Sequence, residues 1–141
     1  MSYLVDTNVL SELRRKAPDT KVVEWFAARP AVTLYISVLT LGEIRKGIES
    51  NKDASRRHVL TDWLETELAS FFAGRILSVD TVVADRWGRM IADAGRPMPT
   101  IDSLLAATAA VNDLVLVTRN TKDFADLPVQ TFNPWIGVSE G

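Results

Sequence analysis

Cysteine is absent from this chain of 141 residues, and histidine occurs once. Without thiols there is no disulfide, no thiolate nucleophile and no zinc–thiolate site, a composition that suits a reducing compartment. The single histidine, His58, falls mid-helix in Ser55-Arg56-Arg57-His58. That position argues against a Ser-His-Asp triad and against a histidine-rich zinc site. An excess of charge of one sign is missing too. Sixteen lysines and arginines face eighteen aspartates and glutamates, a net charge of -2. No overall positive field therefore points to nucleic acid, and any such binding must come from a local patch. No apolar run approaches membrane-spanning length, and Asp6 and Asn8 interrupt the apolar N-terminal stretch. Neither a membrane span nor a signal peptide is expected, and the chain reads as soluble and cytoplasmic. Internal repeats, low-complexity tracts and linkers are lacking as well.

What is present is a chain 47% hydrophobic and 24% charged, enough to bury the core of one domain. Residues 1–135 are expected to be compact and residues 136–141 to form a loose tail. Short β-like runs alternate with helical patterns. Tyr3-Leu4-Val5 reads as a buried strand, and Val9 to Arg15 begins a helical pattern that Pro18 breaks before a second helix through Val22, Val23 and Phe26. Val32 to Ile36 is a second strand, and Ser37 suits the N-cap of a helix with Leu41, Ile44 and Ile48 on one face. A long amphipathic helix carries Leu60, Trp63, Leu64, Leu68, Phe71 and Phe72, and Gly74 closes it. Ile76 to Val79 is a third strand, followed by a helix capped by Asp80 and ended by Gly95. Thr100 is placed to cap the alanine-rich helix Ile101 to Val111, Leu114 to Val117 is the clearest strand, and Val129 to Phe132 is the last. Strands alternating with helices predict an α/β fold with a parallel central sheet of about five short strands, covered by helices on both faces.

Four acids fall at matching places in this alternation. Asp6 and Asp123 follow strands, while Glu43 and Asp102 lie in helices that start near strand ends. Open α/β sheets collect ligands in the crevice beyond the carboxyl ends of their strands, so chemistry is expected there. The competing role for Asp6 is to cap the next helix. If the four carboxylates converge, their repulsion is relieved by raised pKa values or by a cation. All-oxygen ligands select hard ions such as Mg²⁺ or Mn²⁺, and such an ion serves phosphodiester hydrolysis.

These residues resemble the PIN-domain ribonucleases and, within them, the VapC-type toxins of bacterial toxin–antitoxin pairs. The resemblance is carried by Leu4-Val5-Asp6-Thr7-Asn8-Val9-Leu10, Ser37-Val38-Leu39-Thr40-Leu41-Gly42-Glu43-Ile44, Ile101-Asp102-Ser103-Leu104-Leu105-Ala106-Ala107-Thr108-Ala109 and Val117-Thr118-Arg119-Asn120-Thr121-Lys122-Asp123-Phe124. Phe132-Asn133-Pro134-Trp135 is similar to the family's usual ending, so the likeness spans essentially the whole chain as a single PIN-like domain. It implies an endoribonuclease dependent on Mg²⁺ or Mn²⁺ that inhibits translation by cutting RNA. It also implies a cognate antitoxin that holds the toxin inactive, a homodimer, and a larger toxin–antitoxin assembly. Position by position, Asp6, Glu43 and Asp102 match the family's metal-binding acids. For the fourth, the resemblance implies Asp123, with Asn120 in the place where some members carry their last acid. Thr7 and Thr118 are candidates to orient water, and Arg119 is the foremost candidate to hold a phosphate, ahead of Arg45, Lys46 and Arg86. Trp25 and Phe26 suit either the core or an apolar groove for a partner helix.

Two other enzyme classes fit less well. A receiver domain needs an acidic pair after its first strand, and a haloacid-dehalogenase phosphatase needs Asp-x-Asp there, whereas this chain offers Asp6-Thr7-Asn8. The non-enzymatic alternative is an acidic α/β interaction module in which the acids only cap helices.

Overall fold

A computed structural model describes residues 1–140, with the side chains of residues 138–140 left aside. The strands are β1 (Tyr3–Val5), β2 (Leu34–Ser37), β3 (Ile76–Leu77), β4 (Val115–Val117), β5 (Thr131–Asn133) and β6 (Val138–Glu140). Helices α1 (Thr7–Leu13), α2 (Thr20–Ala27), α3 (Val38–Ser50), α4 (Ala54–Asp62), α5 (Ala69–Phe71), α6 (Thr81–Ala94) and α7 (Thr100–Val111) connect them. The sheet order is β3-β2-β1-β4-β5-β6, parallel throughout except for the antiparallel β5–β6 pair. The expected α/β architecture with five parallel strands is found. The expected loose tail is not: Val138–Glu140 pairs with Thr131–Asn133 across a turn in which Gly137 takes φ +69, a conformation glycine adopts without strain. Gly141 lies outside the described residues.

Alternation along the two central strands divides the core. Val5 and Val117 point to one face, where they meet Val9, Leu10, Val22, Trp25, Ile44, Ile48, Leu64 and Phe72. Leu4 and Leu116 point to the other, against Met90, Leu105, Ala106, Ala109 and Phe124. Period-two strands buried on both faces read as continuous apolar runs, as Leu114-Val115-Leu116-Val117 does. The small side chains of α7 let its backbone approach the sheet, and Ala106, Ala107 and Ala109 are fully buried. Trp25 belongs to this core, edge-on to Tyr3 at 5.1 Å and stacked on Phe132 at 5.6 Å.

Several local expectations change; the strand expected from Val32 begins at Leu34 after a 3₁₀ turn at Ala31–Thr33, and the one expected at Ile76 to Val79 is Ile76–Leu77. The helix predicted across residues 60–72 is interrupted by a π-helical segment, Trp63–Leu68. Leu60, Leu64, Leu68 and Phe72 are spaced by four, and a widened turn keeps that spacing on one face longer than the 3.6-residue α-turn does. Thr100 opens α7 rather than capping it; Pro99 precedes it with extended backbone and no side-chain cap. The last parallel strand begins at Thr131 instead of Val129. Asp80 does cap α6, accepting the Val83 N–H at 2.9 Å, and Gly95 ends that helix with φ +64. Substituting Asp80→Ala leaves the first turn of α6 with an unpaired donor. Thermal denaturation is expected to show a loss of about 1 kcal/mol.

Candidate functional site at the β1–β4 switch point

Chain order leaves β1 toward β2 and β3 on one side, then crosses to β4 and β5 on the other. The crevice at such a reversal, beyond the carboxyl ends of the strands, is open because the flanking connections run away from it. Here it falls between β1 and β4. Their register pairs Val5 with Val117, so the next residues, Asp6 and Thr118, emerge side by side, and the Asp6 N–H donates to the Val117 carbonyl at 2.9 Å. Both competing roles of Asp6 are then met by different oxygens. Oδ1 caps α1 by accepting the Thr7 N–H at 2.7 Å, and Oδ2 accepts the Thr118 hydroxyl at 2.8 Å and Asn8 Nδ2 at 3.4 Å.

The α3 helix starts directly from β2, with Ser37 Oγ accepting the Leu39 N–H at 3.0 Å. Its second turn brings Glu43 to the crevice, where Oε1 accepts the Thr7 hydroxyl at 2.6 Å. Asp102 arrives from the first turn of α7. Asp6, Thr7, Asn8, Glu43, Asp102, Arg119 and Asn120 line a common cleft of about 530 Å³. Asp123 is exposed and does not line it, although its charge reaches Asp102. It sits in a 3₁₀ turn, Thr121–Phe124, that Arg96 ties down by donating to the Asp126 carboxylate and the Asp123 carbonyl. Arg45 is engaged with Glu49 and Glu65, and neither it, Lys46 nor Arg86 lines the cleft. His58 lies on α4, exposed and away from it.

The acids bear the electrostatic mark of their crowding. Burial pushes Asp6 up to about 6 against the lowering effect of its bonds from Thr118 and Thr7, and the charges of Asp102 and Glu43 push it further. Asp102 is raised by burial and by the charges of Glu43 and Asp123. Among the described residues no three acids or histidines are arranged as a self-sufficient metal cage. Asp6 is anchored by the Thr118 hydroxyl and the Thr7 N–H, and Glu43 by the Thr7 hydroxyl. Such a site fits a hard divalent ion that keeps several waters and takes only one or two carboxylates from the protein, completing its sphere with substrate phosphate. It does not fit a zinc or calcium site built wholly of side chains.

Sequence patterns gave no warning of four further cleft residues, Ser11, Glu12, Arg15 and Trp135. Glu12 is buried on α1, where its carboxylate accepts the Asp19 N–H at 2.8 Å and an Arg15 N–H at 3.2 Å. Those contacts, the Asp19 amide foremost, hold it below the usual carboxylate range. A lone acid on a short helix reads as solvated, so nothing local flags it. Trp135 closes the cleft from the C-terminal side; the Asn133-Pro134-Trp135 turn was visible, but its packing partner was not.

Comparison with known proteins gives a consistent family. The family model described as the PIN domain matches residues 3–130. The VapC ribonuclease Y4jK of Sinorhizobium fredii is 33% identical over 135 residues, covering 94% of this chain and 96% of that protein. The crystal structure of FitAcB from Neisseria gonorrhoeae superposes with a TM-score of 0.90 at 34% identity, covering 94% of this chain and 98% of that one. A toxin–antitoxin complex from Klebsiella pneumoniae contains a chain with a TM-score of 0.70 at 29% identity, covering 94% of this chain and 98% of that one.

Proposed function

The chain belongs to the PIN-domain family, and from that premise we propose that it is a metal-dependent endoribonuclease toxin that cuts cellular RNA, inhibits translation and is neutralised by a cognate antitoxin. The observation that carries this reading is the common cleft of Asp6, Glu43 and Asp102, three acids from distant parts of the chain brought to the switch point of the sheet. The similarity to a VapC ribonuclease supports the activity, and the likeness to a chain of a toxin–antitoxin complex supports the partner. A homodimer, and a larger assembly with the antitoxin in the cytoplasm, belong to the same proposal.

Asp6 and Asp102 are the principal residues to hold Mg²⁺, with Mn²⁺ as a substitute; Glu43 is either a further ligand or the general base, and Asp123 completes the acidic field. When bound, such an ion supplies Lewis-acid stabilisation of the charge that builds on a phosphodiester in the transition state. The chain's own groups orient the reactants. Thr118 and the Thr7 N–H fix the Asp6 carboxylate, the Thr7 hydroxyl fixes Glu43, and Asn120 offers a polar side chain to water or substrate. In the general-base alternative, Glu43, half-buried and lining the cleft, accepts a proton from an attacking water. Arg119 supplies the positive charge that a phosphate needs beside so many acids.

The test is sequencing of RNA 5′ ends after brief expression of the protein beside its Asp102→Asn variant. Discrete new ends are expected with the parent only. If neither form creates ends, and calorimetry with Mg²⁺ and Mn²⁺ detects no binding, the non-catalytic interaction module is the correct reading.

A further inference from the structure

The mouth of the cleft holds a contact that the chemistry above leaves unused. The Arg119 guanidinium carbon lies 5.0 Å from the centroid of the Trp135 ring, and both residues line the cleft with Asp6, Glu43 and Asp102. A single side chain fixes the pair: Asn133 Nδ2 donates to the Arg119 carbonyl at 3.2 Å, and Asn133 Oδ1 accepts the Trp135 N–H at 2.9 Å. The Arg119 N–H donates to Asn8 Oδ1 at 3.4 Å. Trp135 is half-buried and packs against the core cluster that contains Trp25, so it is anchored rather than free to turn. Arg119 is exposed and, among the described residues, forms no ion pair, although four carboxylates, Asp6, Glu12, Glu43 and Asp102, share its cleft. A guanidinium laid on an indole keeps its planar shape and its N–H edge available.

We propose that Arg119 stacked on Trp135 forms a subsite for one unpaired RNA nucleotide next to the scissile phosphate, and that this pair sets how strongly the cleft discriminates single-stranded RNA from duplex. Bases stack on aromatic rings and on arginine planes, and each base of a duplex already has its faces covered by neighbours. Only a strand that can splay a base outward satisfies both the platform and the acidic centre. The inference rests on the ribonuclease reading and adds to it the residues that hold the strand beside the acidic centre. Trp135 acts here as a specificity-determining residue, while Asn133 is a positioning residue for the pair.

The experiment is an anisotropy titration of a fluorescein-labelled single-stranded RNA, and of the same strand annealed to its complement, with EDTA present so that metal-dependent cleavage does not intrude. The parent is expected to prefer the single strand. Trp135→Leu is expected to lose about tenfold in affinity for the single strand and little for the duplex. Trp135→Phe, which keeps a ring, is expected to retain most of the preference. Arg119→Lys, which keeps the charge and loses the plane, is expected to bind both forms with reduced discrimination, and it answers the question if Trp135→Leu does not fold. Equal binding of both forms by the parent overturns the subsite, as does unchanged discrimination in a folded Trp135→Leu or, where that variant does not fold, in Arg119→Lys. Absence of cleavage when Mg²⁺ is restored overturns the ribonuclease reading instead, and the titration in EDTA still decides the subsite.

Discussion

Asp6→Asn and Asp102→Asn are each expected to lower RNA cleavage by about three orders of magnitude, and the double variant to be little worse than either single one. Both substitutions keep the side-chain volume, so packing changes little while a negative oxygen is lost. A hard cation at a phosphoryl centre contributes several kcal/mol of transition-state stabilisation, and each ~1.4 kcal/mol is a factor of ten in rate. Removing either carboxylate forfeits most of that. Groups that act as one unit are strongly non-additive, because the first loss already disables the unit. The measurement is the initial rate of cleavage of a labelled RNA in Mg²⁺, with melting curves to show that the variants fold. Rates near the parent's for either variant, or strictly multiplicative losses in the double variant, contradict a shared centre.

The same substitution at Asp6 has the opposite sign for stability. At about pH 7.5 without divalent cations, Asp6→Asn is expected to unfold with a free energy about 1–3 kcal/mol higher than the parent. The Asp6 pKa rises from 3.8 to about 6 on folding, chiefly through burial. Between those values the native state binds more protons than the unfolded state, so unfolding free energy falls as pH rises. The parent therefore carries an uncompensated buried charge above about pH 6 and is relieved of it as pH falls toward about 4. The advantage of Asp6→Asn should shrink over the same window. Mg²⁺ or Mn²⁺ should close the gap from the other direction by binding the native parent and not the variant. Circular-dichroism melts across this pH range, with EDTA and then with metal, separate these effects. A parent more stable than Asp6→Asn at neutral pH in EDTA means that the hydrogen bonds from Thr118 and Thr7 outweigh the burial of the charge.

Much of the fold was written locally. Leu114 to Val117 has no other use than a buried strand, Asp80 and Gly95 mark both ends of α6, and the alanines after Asp102 announce a helix packed tightly on a sheet. The antiparallel closure at Val138–Glu140 was not legible, because an edge strand of three residues has no periodicity of its own and depends on the partner it finds. The π-helical segment was equally silent, since apolar residues four apart suit an α-helix nearly as well until the core fixes which face must stay inward.

The site divides along the same line. Which residue types the proposed chemistry draws on was legible in the sequence: acids without cysteine, and one histidine remote from every motif, point to oxygen ligands and a hard ion. Whether those acids meet was a matter of topology. The β1–β4 register sets Asp6 beside Thr118, and the reversal of strand order opens the cleft into which α3 and α7 deliver Glu43 and Asp102. Only tertiary structure could leave Asp123 outside that lining, bury Glu12 within it and lay Arg119 on Trp135. Distances between residues more than a hundred positions apart depend on how strands are ordered and paired, and that order is fixed by the burial of both faces of the sheet at once rather than by any one stretch of chain.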